Sequence, residues 1–151
     1  MIKIITGVVA VVIVFGVGSL FLKNQKPQIE LGVINKKLSE IPNKPNAVST
    51  ETMQPDKLIK PLSLKQTLDE SKEAMRKALD SYGKIEIKKD ESNYIYAVAT
   101  TNTMKFHDDI EIYFDEENNR VQYRSASRAG YSDMGLNRER YNKIAAAYQK
   151  F

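Results

Sequence analysis

The chain has 151 residues, enough for one domain, and its 42% of hydrophobic residues can supply one modest core. It contains no cysteine, which excludes a disulfide framework, a thiolate nucleophile and a cysteine-bound zinc ion. The formal net charge of +4 is uneven: residues 120–151 carry seven basic and two acidic side chains, whereas residues 23–119 carry 15 basic and 17 acidic ones. The basic final third indicates either an anionic partner or pairing of its arginines with the acidic strands before them.

A membrane anchor is the first predicted element. The run from Ile4 to Leu22, IITGVVAVVIVFGVGSLFL, contains 19 residues and no charge. At ~1.5 Å per residue a helix of this length extends about 28 Å, close to the ~30 Å hydrocarbon core of a bilayer. A cleaved signal peptide is the alternative, with Val17 and Ser19 as the small residues of a cleavage site. The apolar residues 20–22 continue the run past that point and favour an uncleaved anchor.

The orientation of this anchor is not decided by its flanking charges, because basic residues lie on both sides of it. The short polar head before Ile4 is similar to the n-region of an export signal, which usually remains inside. We therefore expect residues 1–22 to cross the membrane once and the rest of the chain to lie outside the cytoplasm.

A tether is predicted over residues 23–56, which contain four prolines and no long periodic run. Residues 57–151 are then predicted to form the packed domain. Six apolar side chains of the tether could dock on that domain: Leu31, Val33, Ile34, Leu38, Ile41 and Val48.

The first helix of the domain is predicted over residues 63–82. Ser63 is suited to be its N-cap, with Gln66 as the capping-box partner, and Gly83 is suited to end it. Helical spacing gives this segment one apolar face, formed by Leu64, Leu68, Met75 and Leu79.

Four antiparallel strands are predicted next, at residues 84–88, 94–100, 109–114 and 120–126, from alternating or β-branched residues separated by polar turns. In the last hairpin two registers match the apolar faces: Ile112 opposite Val121, or Ile112 opposite Tyr123. The first register places Asp109 opposite Arg124, and the second places Glu111 there. Either one predicts an ion pair on the polar, outward face of the hairpin.

The last predicted helix begins at about Arg138, with Asn137 as its N-cap and a hydrophobic staple between Leu136 and Tyr141. A short strand is also predicted near residues 57–61. Together these elements predict an α+β fold, a two-layer domain in which a mainly antiparallel four- to five-stranded sheet packs with two helices.

Several motifs resemble those of a bacterial and plastid family known as domain of unknown function 1499. They are LGV at Leu31, PNKPNAVST at Pro42, IKPL at Ile59, FHDDIEIYFDEE at Phe106 and RSASRAGYSDMGLNR at Arg124. Members often begin with a membrane or export segment, so we expect a single-pass protein of the bacterial inner (cytoplasmic) membrane. Members commonly carry cysteines at the positions of Ile41 and Ala47, and their joint absence here is expected if those cysteines pair with each other. The family has no established activity.

The segment RSASRAGYSDMGLNR is the candidate ligand-binding site. Its arginines flank a turn that opens a helix, and the free N–H groups of a helix start together with arginine forks suit a phosphate or carboxylate. The candidate residues are Arg124, Ser127, Arg128, Tyr131, Ser132, Asp133, Asn137 and Arg138, supported by Asp109 and Glu111, and Arg140 flanks the same turn. An anionic lipid head group or envelope polymer would suit a domain held at the membrane. The alternative is a structural loop in which Asp133 pairs with Arg128 or Arg138.

An envelope hydrolase that uses Asp109, His107 or Ser127 is the main alternative function, and a pocket holding two of these within hydrogen-bond reach would support it. A Ca²⁺ or Mg²⁺ site at Asp108, Asp109 and Glu111 lacks the spacing of a calcium-binding loop. Nucleic-acid binding conflicts with a membrane tether and an acidic middle section. No catalytic residue, metal ligand or cofactor is assigned from the sequence. A structural role in an envelope complex, through the apolar tether residues, is the third possibility.

Overall fold

A six-stranded antiparallel sheet organises the part of the chain that the computed structural model describes, residues 18–102 and 104–151. We number the helical residues 18–24 as α1. The other elements are β1 (Val33–Ile34), β2 (Lys37–Leu38), β3 (Ala47–Ser49), β4 (Leu62–Ser63), α2 (Leu68–Tyr82), β5 (Ile85–Asp90), β6 (Tyr94–Thr100), β7 (His107–Asp115), β8 (Arg120–Ser127) and α3 (Leu136–Lys150). The predicted α+β class with a mainly antiparallel sheet is confirmed.

The strand order is β3-β8-β7-β6-β5, and β4 also pairs with β8. The four strands predicted in the second half of the chain are β5 to β8, and the short strands β3 and β4 extend the sheet. The strand predicted near residues 57–61 is wrong: Leu58 makes only an isolated bridge to Ser49, and β4 follows it along the chain.

Helices α2 and α3 cover one face of the sheet and form the main core with it. Inward side chains alternate along β6, β7 and β8, as the period of two requires. The large side chains that are almost fully buried in this core are Met75, Leu79, Ile95, Ile110, Ile112, Phe114, Val121, Tyr123, Ile144 and Tyr148.

Both helices begin at different residues from those predicted. Ser63 cannot cap α2 because its backbone pairs with β8; Thr67 is the N-cap, and its Oγ1 accepts a hydrogen bond from the Glu70 N–H at 3.1 Å. Gly83, at φ 76°, follows the last residue of α2, as predicted. Helix α3 begins at Leu136 after Gly135, which has φ 83°. Asn137, predicted to be the cap, is therefore a buried residue inside the helix.

The opposite face of the sheet is covered by the N-terminal segment, which we define as residues 18–46. Leu38 packs against Tyr94 and Tyr113 on this face, and Val33 packs at the edge of the same cluster. Ile41 packs with Ala47 and Ala126, so the two positions that the family resemblance associates with cysteines lie in one small apolar cluster. The face of β7 and β8 that the sequence predicts to be outward is consequently buried.

The predicted membrane anchor lies mostly outside the described residues. Its last residues, 18–22, are helical and belong to α1. Over residues 18–102 and 104–151, no helix is both long enough and apolar enough to cross a membrane.

Candidate functional site

The central hairpin of β7 and β8 adopts the second predicted register. Ile112 lies opposite Tyr123, and Glu111 lies opposite Arg124. The Arg124 Nη1 donates to Glu111 Oε2 at 2.9 Å, and both side chains are almost fully buried. The predicted ion pair is therefore present, but the N-terminal segment shields it from solvent.

Glu111 is the centre of a buried hydrogen-bond network. Besides Arg124, its carboxylate accepts from the Gly32 N–H at 2.7 Å and from the Tyr94 hydroxyl at 2.9 Å. Burial raises the pKa of Glu111 above its ordinary value of 4.5, and the Arg124 charge opposes that rise. The Gly32 contact ties the N-terminal segment to the sheet through the same carboxylate.

Arg128 fastens the end of α1 to the sheet. Its Nε donates to Asp109 Oδ1 at 2.9 Å, and its Nη2 donates to the Tyr96 hydroxyl at 2.9 Å. Its Nη1 donates to the carbonyl of Asn24 at 3.3 Å and to that of Gln25 at 3.2 Å. Burial lowers the pKa of Arg128, but the hydrogen bond and charge of Asp109 outweigh it, so the net change is upward.

Asn24 completes this attachment from the other side. Its Nδ2 donates to the Lys105 carbonyl at 2.8 Å, and its Oδ1 accepts from the His107 N–H at 2.7 Å. Helix α1 thus ends at the edge where β7 begins and β8 ends. This position links the predicted anchor directly to the candidate segment.

Arg138 and Asp133 have structural partners, which agrees with the alternative of a structural loop but not with its proposed pairing. Arg138 donates to the carbonyls of Asp56 at 2.7 Å and Leu58 at 3.2 Å. Asp133 accepts from the Gly135 N–H at 3.0 Å and from the Asn137 N–H at 2.8 Å. These bonds satisfy N–H groups at the start of α3, so those groups already have hydrogen-bond partners within the protein.

A further buried pair, between Arg140 and Asp108, lies on the helix side of the sheet. Their contact distance is 2.5 Å, and Arg140 also donates to Asn137 Oδ1 at 2.7 Å. From the sequence, Arg140 is expected beside the anion site, and Asp108 has no predicted partner. Strand alternation could have indicated this pair, because Asp108 shares a face with Ile110 and Ile112 and must meet a helix there.

The residues of the hydrolase hypothesis do not assemble into a catalytic group. The His107 Nδ1 lies 3.1 Å from Thr100 Oγ1, Asp109 is occupied by Arg128 and Tyr96, and Ser127 Oγ accepts from Asn137 Nδ2 at 3.1 Å. No hydrogen bond in the described part of the chain joins any two of Asp109, His107 and Ser127. No group of three or more metal-binding side chains occurs there either.

A cleft of about 530 Å³ lies between the N-terminal segment and the outer face of the sheet. Of the eight candidate ligand-binding residues, four line it: Arg124, Ser127, Arg128 and Tyr131. The other four, Ser132, Asp133, Asn137 and Arg138, lie outside its lining. The structure therefore divides the predicted site into a cleft wall and a helix start.

Sequence reasoning missed the second wall of the cleft, which comes from the predicted tether. The tether supplies the apolar side chains of Ile29, Ile41 and Pro42, the basic side chains of Lys23 and Lys44, and Glu40 and Asn46, and the end of the predicted anchor adds Leu20. The basic residue inside PNKPNAVST, Lys44, is the one local signal that pointed to this wall. Ala126 and Ala129 add apolar surface from β8 and the loop after it.

The electrostatic balance of the cleft is positive. Four basic and two acidic side chains line it, and one of the two acids, Asp109, already pairs with Arg128. Arg124 is 2% exposed, and its Nε has no hydrogen-bond partner among the described residues. The Oδ1 of Asn46, 2% exposed and also in the lining, has none there either. Buried polar atoms are normally paired, so these two indicate unsatisfied hydrogen-bonding capacity beside the cleft.

Comparison with known proteins identifies one family. The model of the family described as "Protein of unknown function (DUF1499)" matches residues 37–148, from β2 to the last turn of α3. No curated protein and no solved structure matches the chain.

Proposed function

The chain belongs to the DUF1499 family of proteins of unknown function, and we propose that this member is a membrane-anchored, extracytoplasmic domain that binds an anionic amphiphile. The cleft between the N-terminal segment and the sheet is the proposed binding site. Its volume of about 530 Å³ falls within the ~300–1,000 Å³ range of ordinary ligand pockets. The bacterial inner membrane is the proposed location, with the anchor at Ile4 to Leu22.

The observation that carries this proposal is the combination of apolar and basic side chains in one cleft. Leu20, Ile29, Ile41 and Pro42 offer contacts to a hydrocarbon chain but none to a charged group. Lys23 and Lys44 are exposed at the cleft and make no ion pair within the described part of the chain, so their ammonium groups are available to an anion. A ligand with one apolar part and one anionic part matches both surfaces.

Arg124 supports the same ligand class from the floor of the cleft. Its Nη1 is held by Glu111 and its Nη2 lies 3.4 Å from the Glu40 carbonyl, which leaves the buried Nε as a donor without a partner among the described residues. A phosphate or carboxylate oxygen would satisfy this donor. The guanidinium is already fixed by its ion pair, so binding would cost little side-chain entropy.

The position of the cleft favours a lipid over a soluble anion. Leu20 and Lys23 belong both to the cleft lining and to α1, the helical continuation of the predicted anchor. A lipid in the bilayer around that anchor would therefore meet the cleft without leaving the membrane. A soluble phosphate would use the basic residues but not the apolar ones.

Native mass spectrometry of the full chain in a neutral detergent tests this proposal. We expect oleoyl-lysophosphatidate to bind one molecule per chain, and oleoyl-lysophosphatidylcholine and glycerol 3-phosphate to bind much more weakly. Lys23→Glu combined with Lys44→Glu should weaken lysophosphatidate binding about tenfold, because two attractive charges become repulsive.

Lys89→Glu is the matched control, since Lys89 is 61% exposed on β5 and lies outside the cleft. It should leave binding unchanged. Equal binding of the anionic and zwitterionic lipids, or equal weakening by the control, would contradict an anion-selective cleft. Binding of glycerol 3-phosphate as tight as that of the lipid would replace the lipid with a soluble phosphate ligand.

A further inference from the structure

We propose that the domain rests on the bilayer through an apolar rim around the end of α1, formed by Phe21, Leu22, Met104, Tyr131 and Met134. This inference rests on the membrane anchor of the proposed function, but it concerns a different surface from the cleft interior. The rim would fix the height and orientation of the domain and would place the cleft mouth at the level of the lipid head groups.

The rim consists of large apolar side chains that the protein leaves in solvent. Phe21 is 65% exposed, Leu22 70%, Met104 66%, Tyr131 73% and Met134 98%. Scattered exposed apolar residues are normal on a protein surface, whereas a group of them in one place marks an interaction site.

Hydrogen bonds and shared cavities place them together. Asn24, just after Phe21 and Leu22, bonds to the Lys105 carbonyl, which places Met104 beside the end of α1. Met104 and Met134 line one cavity of about 380 Å³. Tyr131 lines the cleft to which α1 contributes Leu20. The loop that follows β6 and the residue that follows β8, Arg128, thus both contact the end of α1 at Asn24.

The backbone of Met134 is informative in its own right. Its φ is 54°, in the left-handed region where a side chain with a Cβ is disfavoured and where glycine or asparagine is usual. A methionine that is 98% exposed gains almost nothing from packing within the protein to offset that conformation. The side chain is therefore free to contact an apolar phase outside the protein.

A lipid bilayer is the occupant that the surrounding chain favours. The residues that lead into α1 belong to an uncharged apolar run long enough to span a hydrocarbon core, so the rim encircles the place where the chain would enter the membrane. Exposed Lys23, Lys26 and Lys105 lie next to the rim along the chain. Basic residues at this level attract anionic head groups. Apolar side chains flanked by lysines are the pattern of an interfacial surface.

Tryptophan fluorescence tests the rim without background, because the chain contains no tryptophan. The full chain is reconstituted into vesicles of phosphatidylcholine and phosphatidylglycerol, with and without bromine on the acyl chains. Met134→Trp and Met104→Trp each place a probe on the rim, and neither position lines the cleft. Met53→Trp is the matched control, because Met53 is 95% exposed.

The control position lies away from the rim. Strand β3 runs from Ala47, opposite Ala126, to Ser49, opposite Arg124, and so leads away from the end of β8 that holds α1. We expect blue-shifted emission and at least twofold quenching by brominated lipid at positions 104 and 134, and neither change at position 53. If emission and quenching at both rim positions equal those at position 53, the rim does not contact the bilayer and the proposal is overturned. A rim covered by a protein partner would give this result.

The rim and the cleft can fail separately. Quenched rim probes in a chain that does not prefer lysophosphatidate would overturn the proposed ligand and leave the rim supported. Selective lysophosphatidate binding by a chain whose rim probes remain unquenched would overturn the rim and leave the ligand supported.

Discussion

Glu111 and Arg124 face each other across β7 and β8, and their 2.9 Å ion pair is buried with side-chain exposures of 0% and 3%. An exposed pair of this kind would contribute only ~0.2–1 kcal/mol. Burial changes the consequence of losing one partner, because the remaining charge is left in a medium that solvates it poorly. The pair also joins three parts of the chain, since Glu111 accepts from Gly32 and Arg124 reaches the Glu40 carbonyl.

We predict that Arg124→Leu lowers the free energy of unfolding by about 3–5 kcal/mol, because it leaves the Glu111 carboxylate buried without a cation. The double variant Glu111→Leu with Arg124→Leu should be less destabilised than the sum of the two single variants. Urea unfolding of all four proteins, followed by circular dichroism, measures the coupling energy. Strictly additive costs would show that the two side chains do not depend on each other.

The exposed pair Lys143–Glu139 provides the control for this cycle. Its side chains are 61% and 59% exposed at an i,i+4 spacing on α3. Water already solvates both charges, so Lys143→Leu should change the unfolding free energy very little. A large loss there would indicate that the cycle measures general charge removal and not burial.

The strands of the second half could be predicted from the sequence because they alternate polar and apolar residues or are rich in β-branched and aromatic residues, with polar turns between them. Matching their apolar faces narrowed the β7–β8 register to two choices, one of which is the observed one. The N-terminal segment could not be placed in this way. Its strands β1 and β2 contain two residues each, too few to show a period. The covering of the outer face by this segment therefore depends on tertiary contacts alone.

The arginines of the candidate site also show that tertiary contacts with distant parts of the chain cannot be predicted from local sequence. Arg124 has a side-chain partner one strand away, and pattern reasoning found it. Arg128 and Arg138 donate to backbone carbonyls that lie 104 and 82 residues earlier in the chain, at Asn24 and Asp56. Every residue offers such a carbonyl, so no local feature of the sequence could identify these two acceptors. Arg128 also pairs with Asp109 on the neighbouring strand, a side-chain contact that the sequence pattern does not assign to it. The cleft was missed for the same reason, since half of its wall comes from the predicted tether.

Asp133 is predicted to act as the cap of α3 in place of Asn137. Its carboxylate accepts from two backbone N–H groups at the helix start and from the Asn137 amide at 2.8 Å. Asp133→Ala should therefore lower the free energy of unfolding by ~1–2 kcal/mol in chemical denaturation. Ser132→Ala is the neighbouring control, because the Ser132 hydroxyl accepts only from the Met134 N–H, at 3.1 Å, among the residues that the structure describes. An equal loss in both variants would contradict a specific cap at Asp133.

Met134→Asn should separate stability from membrane contact. Asparagine tolerates the left-handed conformation better than methionine, so we expect the free energy of unfolding to stay the same or rise by up to ~1 kcal/mol. In a chain that also carries Met104→Trp, Met134→Asn should weaken the contact between the rim and the vesicle. The measurement is a loss of quenching of that tryptophan by brominated lipid. Unfolding that becomes easier in the variant would mean that Met134 stabilises the fold itself. Met53→Asn, an equally exposed change elsewhere, should alter neither measurement.

His107, the one histidine of the chain, reports on whether Arg128 holds α1 against the sheet. Burial lowers the pKa of His107 below its ordinary value of 6.5, the Arg128 charge lowers it further, and Asp109 and Asp108 act in the opposite direction. Because the folded state binds this proton less readily than the unfolded state, stability is lost as pH falls from 6.5 through the folded pKa.

NMR titration of the imidazole should give a midpoint below 6.5. Arg128→Gln should raise that midpoint, both by removing a cation and by releasing Asn24, whereas Lys89→Gln should not; an unchanged midpoint in Arg128→Gln would contradict the role given to Arg128.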